Sequence, residues 1–247
     1  MSATAASAGA ADHAGHSEDA HDAHDHGPIE VPDDPQYGLA SPGKIAMWIF
    51  LLSDGFSFGG LLLTYGILRG GAKSWPPNPE LHEPPLGINF TAGLTFLLIC
   101  SSVTMVLAHA AAVEGNRKKL VGFLSLTILG GVLFLCGQMQ EYFGAFRALG
   151  LGDGLIAEGL KFGGSAYANT FFVVTSFHGM HVFSGCVYLT VMMIRSAMGK
   201  YDNGNHDHIE ILGLFWHFVD LVWILVFTFI YLVPSEAPAV LHNLPHH

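Results

Sequence analysis

Charged side chains are scarce in this sequence. Asp, Glu, Lys and Arg make up 12% of its 247 residues, about half the ~25% of soluble globular chains. So little charge beside 51% hydrophobic residues argues against a water-facing surface and for a membrane protein. Positive charge is absent from the first 43 residues, which carry eight of the twenty acids. The remainder holds twelve acids against ten bases and is nearly neutral. With no basic stripe, a nucleic-acid partner is excluded. Cysteine is also sparse: Cys100, Cys136 and Cys186 are odd in number, form no CxxC and fall in apolar runs. They read as small packing residues rather than a disulfide framework. Residues 1–43 have neither a basic n-region nor an apolar h-region. Insertion is therefore expected to rely on the first true span.

What the chain does have is long apolar runs. Five lie at about 45–68, 88–113, 120–143, 168–194 and 209–233. Each exceeds the ~20 residues that cross a bilayer as a helix. The fold class that follows is all-α: a multi-pass bundle of five transmembrane helices over 44–233, with a disordered tail at 1–43 and a short polar tail at 234–247. Small residues in the runs, among them Gly59, Gly60, Gly130, Gly131 and Gly185, permit close helix approach in lipid, although membrane helices are rich in glycine anyway. Trp48, Trp75 and Tyr231 lie near span ends, where interfacial anchoring is expected.

The linkers differ in character. Residues 69–87 are Pro-rich and cannot be helical. EGNRKK at 114–119 reads as a tight turn, 144–167 as a Gly-rich loop with room for a short surface helix, and 195–208 as a polar turn. A cytoplasmic N-terminus puts Lys44, Arg117, Lys118, Lys119, Arg195 and Lys200 inside, and Arg69, Lys73, Arg147 and Lys161 outside. The basic cluster in the short 114–119 turn favours that orientation, with the C-terminus on the periplasmic side.

The tail interleaves His13, His16, His21, His24 and His26 with Asp and Glu. Imidazoles in that density can bind copper, zinc or nickel loosely. A solvated, disordered segment is the preferred reading, since metal sites need fixed geometry and supporting hydrogen bonds.

The polar residues inside the spans carry the chemistry. Asp54 lies about ten residues into the first run, His178 and His181 in the middle of the fourth, and His217 and Asp220 in the middle of the fifth. At 1.5 Å per residue all five share one depth near the bilayer centre. His178/His181 and His217/Asp220 are both i,i+3 pairs, each on one helical face. An ionisable group there is costly and points to function. Three readings are open: a metal or haem site, a proton relay, and interhelical hydrogen bonding. Glu141 and His109 sit near span ends, where contact with water or headgroups accounts for them.

Several stretches together resemble subunit III of haem–copper respiratory oxidases: SWPP at 74–77, AHAAAVEGNRKKL at 108–120, QMQEY at 138–142, NTFFVVTSFHGMHVFSG at 169–185 and LFWHFVDLVW at 214–223. The resemblance covers 44–233. Its motif residues include His109, Glu114, Glu141, Trp216 and Trp223. It implies a scaffold without haem, copper or a catalytic centre of its own. Such a subunit packs on the haem- and copper-bearing subunit I of a proton-pumping terminal oxidase, beside other oxidase subunits and in some cases within a respiratory supercomplex. It also implies bound phospholipid and support of proton uptake, in a bacterial inner membrane. Arg117, Lys118 and Lys119 are the headgroup candidates. The polar layer would then lock helices together.

The chain departs from the long form of that family, which has two further spans and a Glu where SDGFSF places Asp54. Five spans, the SD variant and the His-rich leader resemble quinol oxidases. The WPP, EGNRK and QxxEY motifs resemble cytochrome c oxidases and tip the reading that way. Two other classes stand beside it: a self-contained haem- or metal-binding membrane protein using His178, His181 and His217, and a transporter with Asp54 and Asp220 on a proton path. No inverted repeat or Pro-broken span supports a transporter.

Overall fold

The structure is a computed structural model. It describes residues 41–72, 75, 87–146, 148, 150, 153–157, 159–199 and 207–233. The His-rich tail with its metal-binding candidates, the 234–247 segment, and Lys73, Arg147 and Lys200 lie outside the described residues.

Five long helices account for the five apolar runs: α1 Pro42–Gly71, α2 Ile88–Val113, α3 Arg117–Phe143, α4 Ala166–Ala197 and α5 Asp207–Val226. A π-helical turn, Phe227–Leu232, extends α5 without a break. All five are long and apolar enough to cross a membrane. The protein is therefore a multi-pass membrane protein of all-α class.

α2 coincides with its apolar stretch and the other helices start up to a turn before theirs, and the end residues explain why. Pro42 occupies the first turn of α1, where its missing N–H costs nothing. The Asn116 side chain accepts from the Lys119 N–H at 3.2 Å, so α3 starts at Arg117 and the three basic residues stand on its first turn. Only residues 114–116 are left to reverse the chain, and Gly115 does so at φ 69°. The Ser165 hydroxyl caps α4, accepting from the Ala168 N–H at 3.0 Å. Gly144 ends α3 in the left-handed conformation. The 144–165 loop then folds back on that end: the N–H groups of Leu155 and Ile156 donate to the carbonyls of Glu141 and Tyr142, at 2.8 and 3.1 Å. Those are carbonyls that the helix itself leaves unpaired.

α5 is the centre of the bundle. It packs on α1, α2 and α4, while α3 bridges α2 and α4. Of its apolar stretch 61% is buried, against 17% for α1 at the edge. α1 runs parallel to α5 and is tied to it at both ends. At one end the Lys44 ammonium lies 3.2 Å from Asp207 and 2.8 Å from Glu210. At the other, Arg69 donates to the Val233 carbonyl at 3.4 Å.

Glycines separate into two groups. A Cβ on Gly131 would lie 2.6 Å from Cys186 Sγ and 2.7 Å from the Trp216 ring; on Gly185 it would lie 2.8 Å from the same ring; on Gly130, 2.7 Å from Ser101 Cβ. These three let the α5 tryptophan and α2 sink into the bundle. Gly59 and Gly60 face open space.

Candidate functional site

The mid-membrane polar residues are divided among separate neighbourhoods. Asp54 of α1 and His181 of α4 form an ion-pair contact, Nε2 to Oδ1, at 3.1 Å. His181 Nδ1 is 2.8 Å from the Phe177 carbonyl of its own helix. A carbonyl only accepts, so Nδ1 carries a proton. Nε2 then either donates as imidazolium to a carboxylate or accepts from a protonated Asp54, and in both cases one proton sits between the helices. Phe58 and Phe177 wall the pair, with ring centroids 5.2 and 4.8 Å from the imidazole. Asp54 Oδ2 is buried without a partner among the described residues.

His178 is one turn away and in different company. It is fully buried, and among the described residues neither ring nitrogen has a hydrogen-bond partner. Trp223 lies 4.7 Å away at 32°, and Phe134 meets the ring edge-on at 5.7 Å. Its surroundings are aromatic rings from α3 and α5, with Phe58 of α1 edge-on at 6.3 Å.

The third neighbourhood joins α2 and α5. The Ser102 hydroxyl is 2.6 Å from His217 Nδ1, and Asp220 lies one turn further along α5. Either the hydroxyl donates to Nδ1 or a protonated Nδ1 donates to the hydroxyl oxygen, so the contact ties α2 to α5 in both tautomers. Asp220 Oδ1 is buried and has no partner among the described residues. The three histidines thus do not converge. Among the described residues no three His, Cys, Asp or Glu side chains are placed to hold a metal ion.

The two tryptophans of the fifth run are hydrogen-bonded inside the bundle. Trp216 Nε1 donates to Ser101 at 3.2 Å and Trp223 Nε1 to Thr95 at 2.9 Å. Both bonds tie α5 to α2, and they satisfy the indole N–H that burial otherwise strands.

Glu141 is where the sequence misleads. Its place near a span end suggests water or headgroups, yet it is only 9% exposed. Thr91 of α2 donates to Oε1 at 3.1 Å and Tyr231, beyond α5, to Oε2 at 3.0 Å. Tyr231 is accordingly buried, not an interfacial anchor. Trp75 is buried too, packed edge-on between Tyr65 and Tyr167. Trp48, at the other end of α1, is exposed. One turn along from Glu141, the Gln138 amide donates to the Thr175 carbonyl at 2.7 Å and to the Tyr142 hydroxyl at 3.0 Å. The same hydroxyl lies 2.5 Å from Thr175 Oγ1.

Sequence reasoning did not single out Thr91, Ser101 and Ser102, and it quoted Gln138, Tyr142 and Thr175 only as members of motifs, without a role. The usable signal was the i,i+3 and i,i+4 spacing of Gln138, Glu141 and Tyr142, which places all three on one face of α3. Nothing local marks the α2 hydroxyls.

The remaining motif residues lie at the surface. His109 is half-buried near the end of α2. Lys119 is 3.4 Å from Glu114, both largely exposed, and Arg117 and Lys118 are exposed beside them.

These buried contacts are made by the side chains of QMQEY, FHGMH and WHFVDLVW, the motifs that carry the resemblance. Residues 39–235 match the family model described as cytochrome c oxidase subunit III. The chain belongs to the cytochrome c oxidase subunit III family. Cytochrome c oxidase subunit 3 of Scyliorhinus canicula is 36% identical over 196 residues, covering 76% of this chain and 68% of the relative. That of Thermostichus vulcanus is 33% identical over 193 residues, covering 76% and 86%. The probable cytochrome c oxidase subunit 3 of Rickettsia bellii is 33% identical over 208 residues, covering 78% and 69%. The chain is thus a terminal-oxidase subunit III and part of an oxidase complex.

Proposed function

We propose that this chain is the non-redox accessory subunit of a cytochrome c oxidase that reduces oxygen in a bacterial inner membrane. In this reading it stabilises the catalytic subunit I and supports its proton uptake, while haem and copper reside in partner subunits. One observation carries the reading: the motif side chains are spent on hydrogen bonds to other helices of the same chain. Trp216, Trp223, Glu141, Gln138 and Tyr142 each hydrogen-bond a neighbouring helix. Such bonds fix a rigid surface for a partner. The matched relatives are named for cytochrome c oxidase, which favours cytochrome c over quinol as donor. Phospholipid headgroups are assigned to the exposed Arg117, Lys118 and Lys119 on the first turn of α3, and the N-terminus to the cytoplasmic face. The residues Asp54, His178, His181, His217 and Asp220 are assigned the structural role of holding the helices in register. The proton-sharing contacts at Asp54–His181 and His217–Ser102 would serve a part in proton supply.

The test is an affinity isolation of this chain in mild detergent, with a reduced-minus-oxidised spectrum and metal analysis before and after partners are stripped. Haem and copper in the complex but none on the stripped chain is the expected result. Haem or stoichiometric metal retained by the stripped chain refutes the accessory reading in favour of a self-contained metalloprotein.

A further inference from the structure

His217, like His181, is half-buried, whereas His178 is enclosed, and unlike His181 it has no ion-pair partner on its Nε2 among the described residues. Its Nδ1 is engaged by Ser102. Among the described residues Nε2 has no partner, and it is not one of the atoms sealed inside the bundle. A ring nitrogen therefore opens on the outer surface at mid-membrane depth. Lipid offers no hydrogen bond there, and ionisable groups at that depth face protein or a water-filled cavity.

The surface around it is built for a helix. On α5, Leu214, His217, Leu221 and Ile224 recur at i,i+3 and i,i+4 spacing and form one outward stripe. Leu221 and Ile224 are 57% and 41% exposed. On α2, Ile99 and Val106 lie a turn before and a turn after Ser102, and both are exposed. The Ser102–His217 bond brings the two stripes side by side. Asp220, 8% exposed with an Oδ1 that has no partner among the described residues, sits behind them.

We infer that this α2/α5 face is where a transmembrane helix of another oxidase subunit docks, apolar except for one hydrogen-bonding side chain that meets His217 Nε2. The inference rests on the accessory-subunit reading above, and it names the face and the chemistry of the contact. The polar residue supplies register, because an apolar stripe alone tolerates sliding in lipid. Only one depth along the partner helix then satisfies the imidazole.

The test places a photo-crosslinking benzophenone side chain at Leu221 in the complete complex in its own membrane. The expected result is a covalent adduct with a different subunit, mapped to a transmembrane segment that carries a hydrogen-bonding residue within one turn of the labelled site. His217→Ala is expected to lower the adduct yield by roughly threefold or more, with His217→Asn restoring part of it. Adducts with lipid alone, with a second copy of this chain, or with a wholly apolar segment would overturn the inference. So would a yield indifferent to His217→Ala. Haem in the same preparation is measured first: its absence refutes the accessory reading, whereas a haem-containing complex with only lipid on Leu221 refutes the docking face alone.

Discussion

Removing the Tyr231 hydroxyl tests whether the buried Glu141 node joins helices as its geometry indicates. The hydroxyl donates to Glu141 Oε2 at 3.0 Å, and Thr91 holds Oε1 at 3.1 Å. In water-soluble proteins a bond to a charged acceptor contributes about 1.5–3 kcal/mol. Interhelical bonds in membrane proteins average about 0.6 and reach about 1.7 kcal/mol, because helices separated in a membrane-like solvent still find partners. The membrane scale applies here, so Tyr231→Phe should cost about 1 kcal/mol, roughly a fivefold change in the folded population. In a Glu141→Leu background the hydroxyl has lost its acceptor, and the same substitution should be neutral or slightly stabilising. The difference between the two backgrounds is the coupling energy. It can be read by titrating the purified chain with SDS in mixed micelles and following the fluorescence of the buried Trp216 and Trp223. Equal costs in both backgrounds would show that Glu141 does not hold Tyr231, and the three-helix node would have to be abandoned.

Gly131→Val should destabilise the chain by about 1–3 kcal/mol or more through overpacking on Cys186 and Trp216, whereas Gly60→Ala, with open space at its Cβ, should stay near wild type; similar losses in the same SDS titration would contradict this. Lys44→Ala should cost at most about 1 kcal/mol, since its partners Asp207 and Glu210 are more than two-fifths exposed, and a larger loss would show the α1–α5 clamp to be better shielded than its geometry indicates. Asp54→Ala should leave haem content of the isolated complex unchanged but weaken retention of this subunit or sustained turnover, because it strips His181 of its partner across α1 and α4; haem lost from a complex that still assembles would argue against a scaffold.

The five spans were legible because bilayer thickness imposes a length and a composition that each run meets independently of its neighbours. Helix ends were less so. α3 starts at Arg117 because the Asn116 side chain caps it, a local contact that an apolar-run boundary does not register. The WPP, QxxEY and WHFVD residues were identified by motif, but their roles were not. Glu141 and Tyr231 sit 90 residues apart, and nothing in either neighbourhood announces the other. Equal depth in the sequence suggested one polar layer. Rotation about the helix axes divided it, sending His181 to Asp54, His178 into aromatic rings and His217 to Ser102.

What the sequence determined by itself is therefore one-dimensional: how many helices cross, where ionisable groups fall along the membrane normal, and which family the motifs belong to. Depth follows directly from a fixed rise per residue. Which side chains meet depends on azimuth and on which helices are neighbours, and those were decided only when α5 settled in the centre against α1, α2 and α4. That placement is a property of the packed bundle. It turns on small residues such as Gly131 and Gly185, which make room for Trp216, and it leaves His217 open to the outside while enclosing His178.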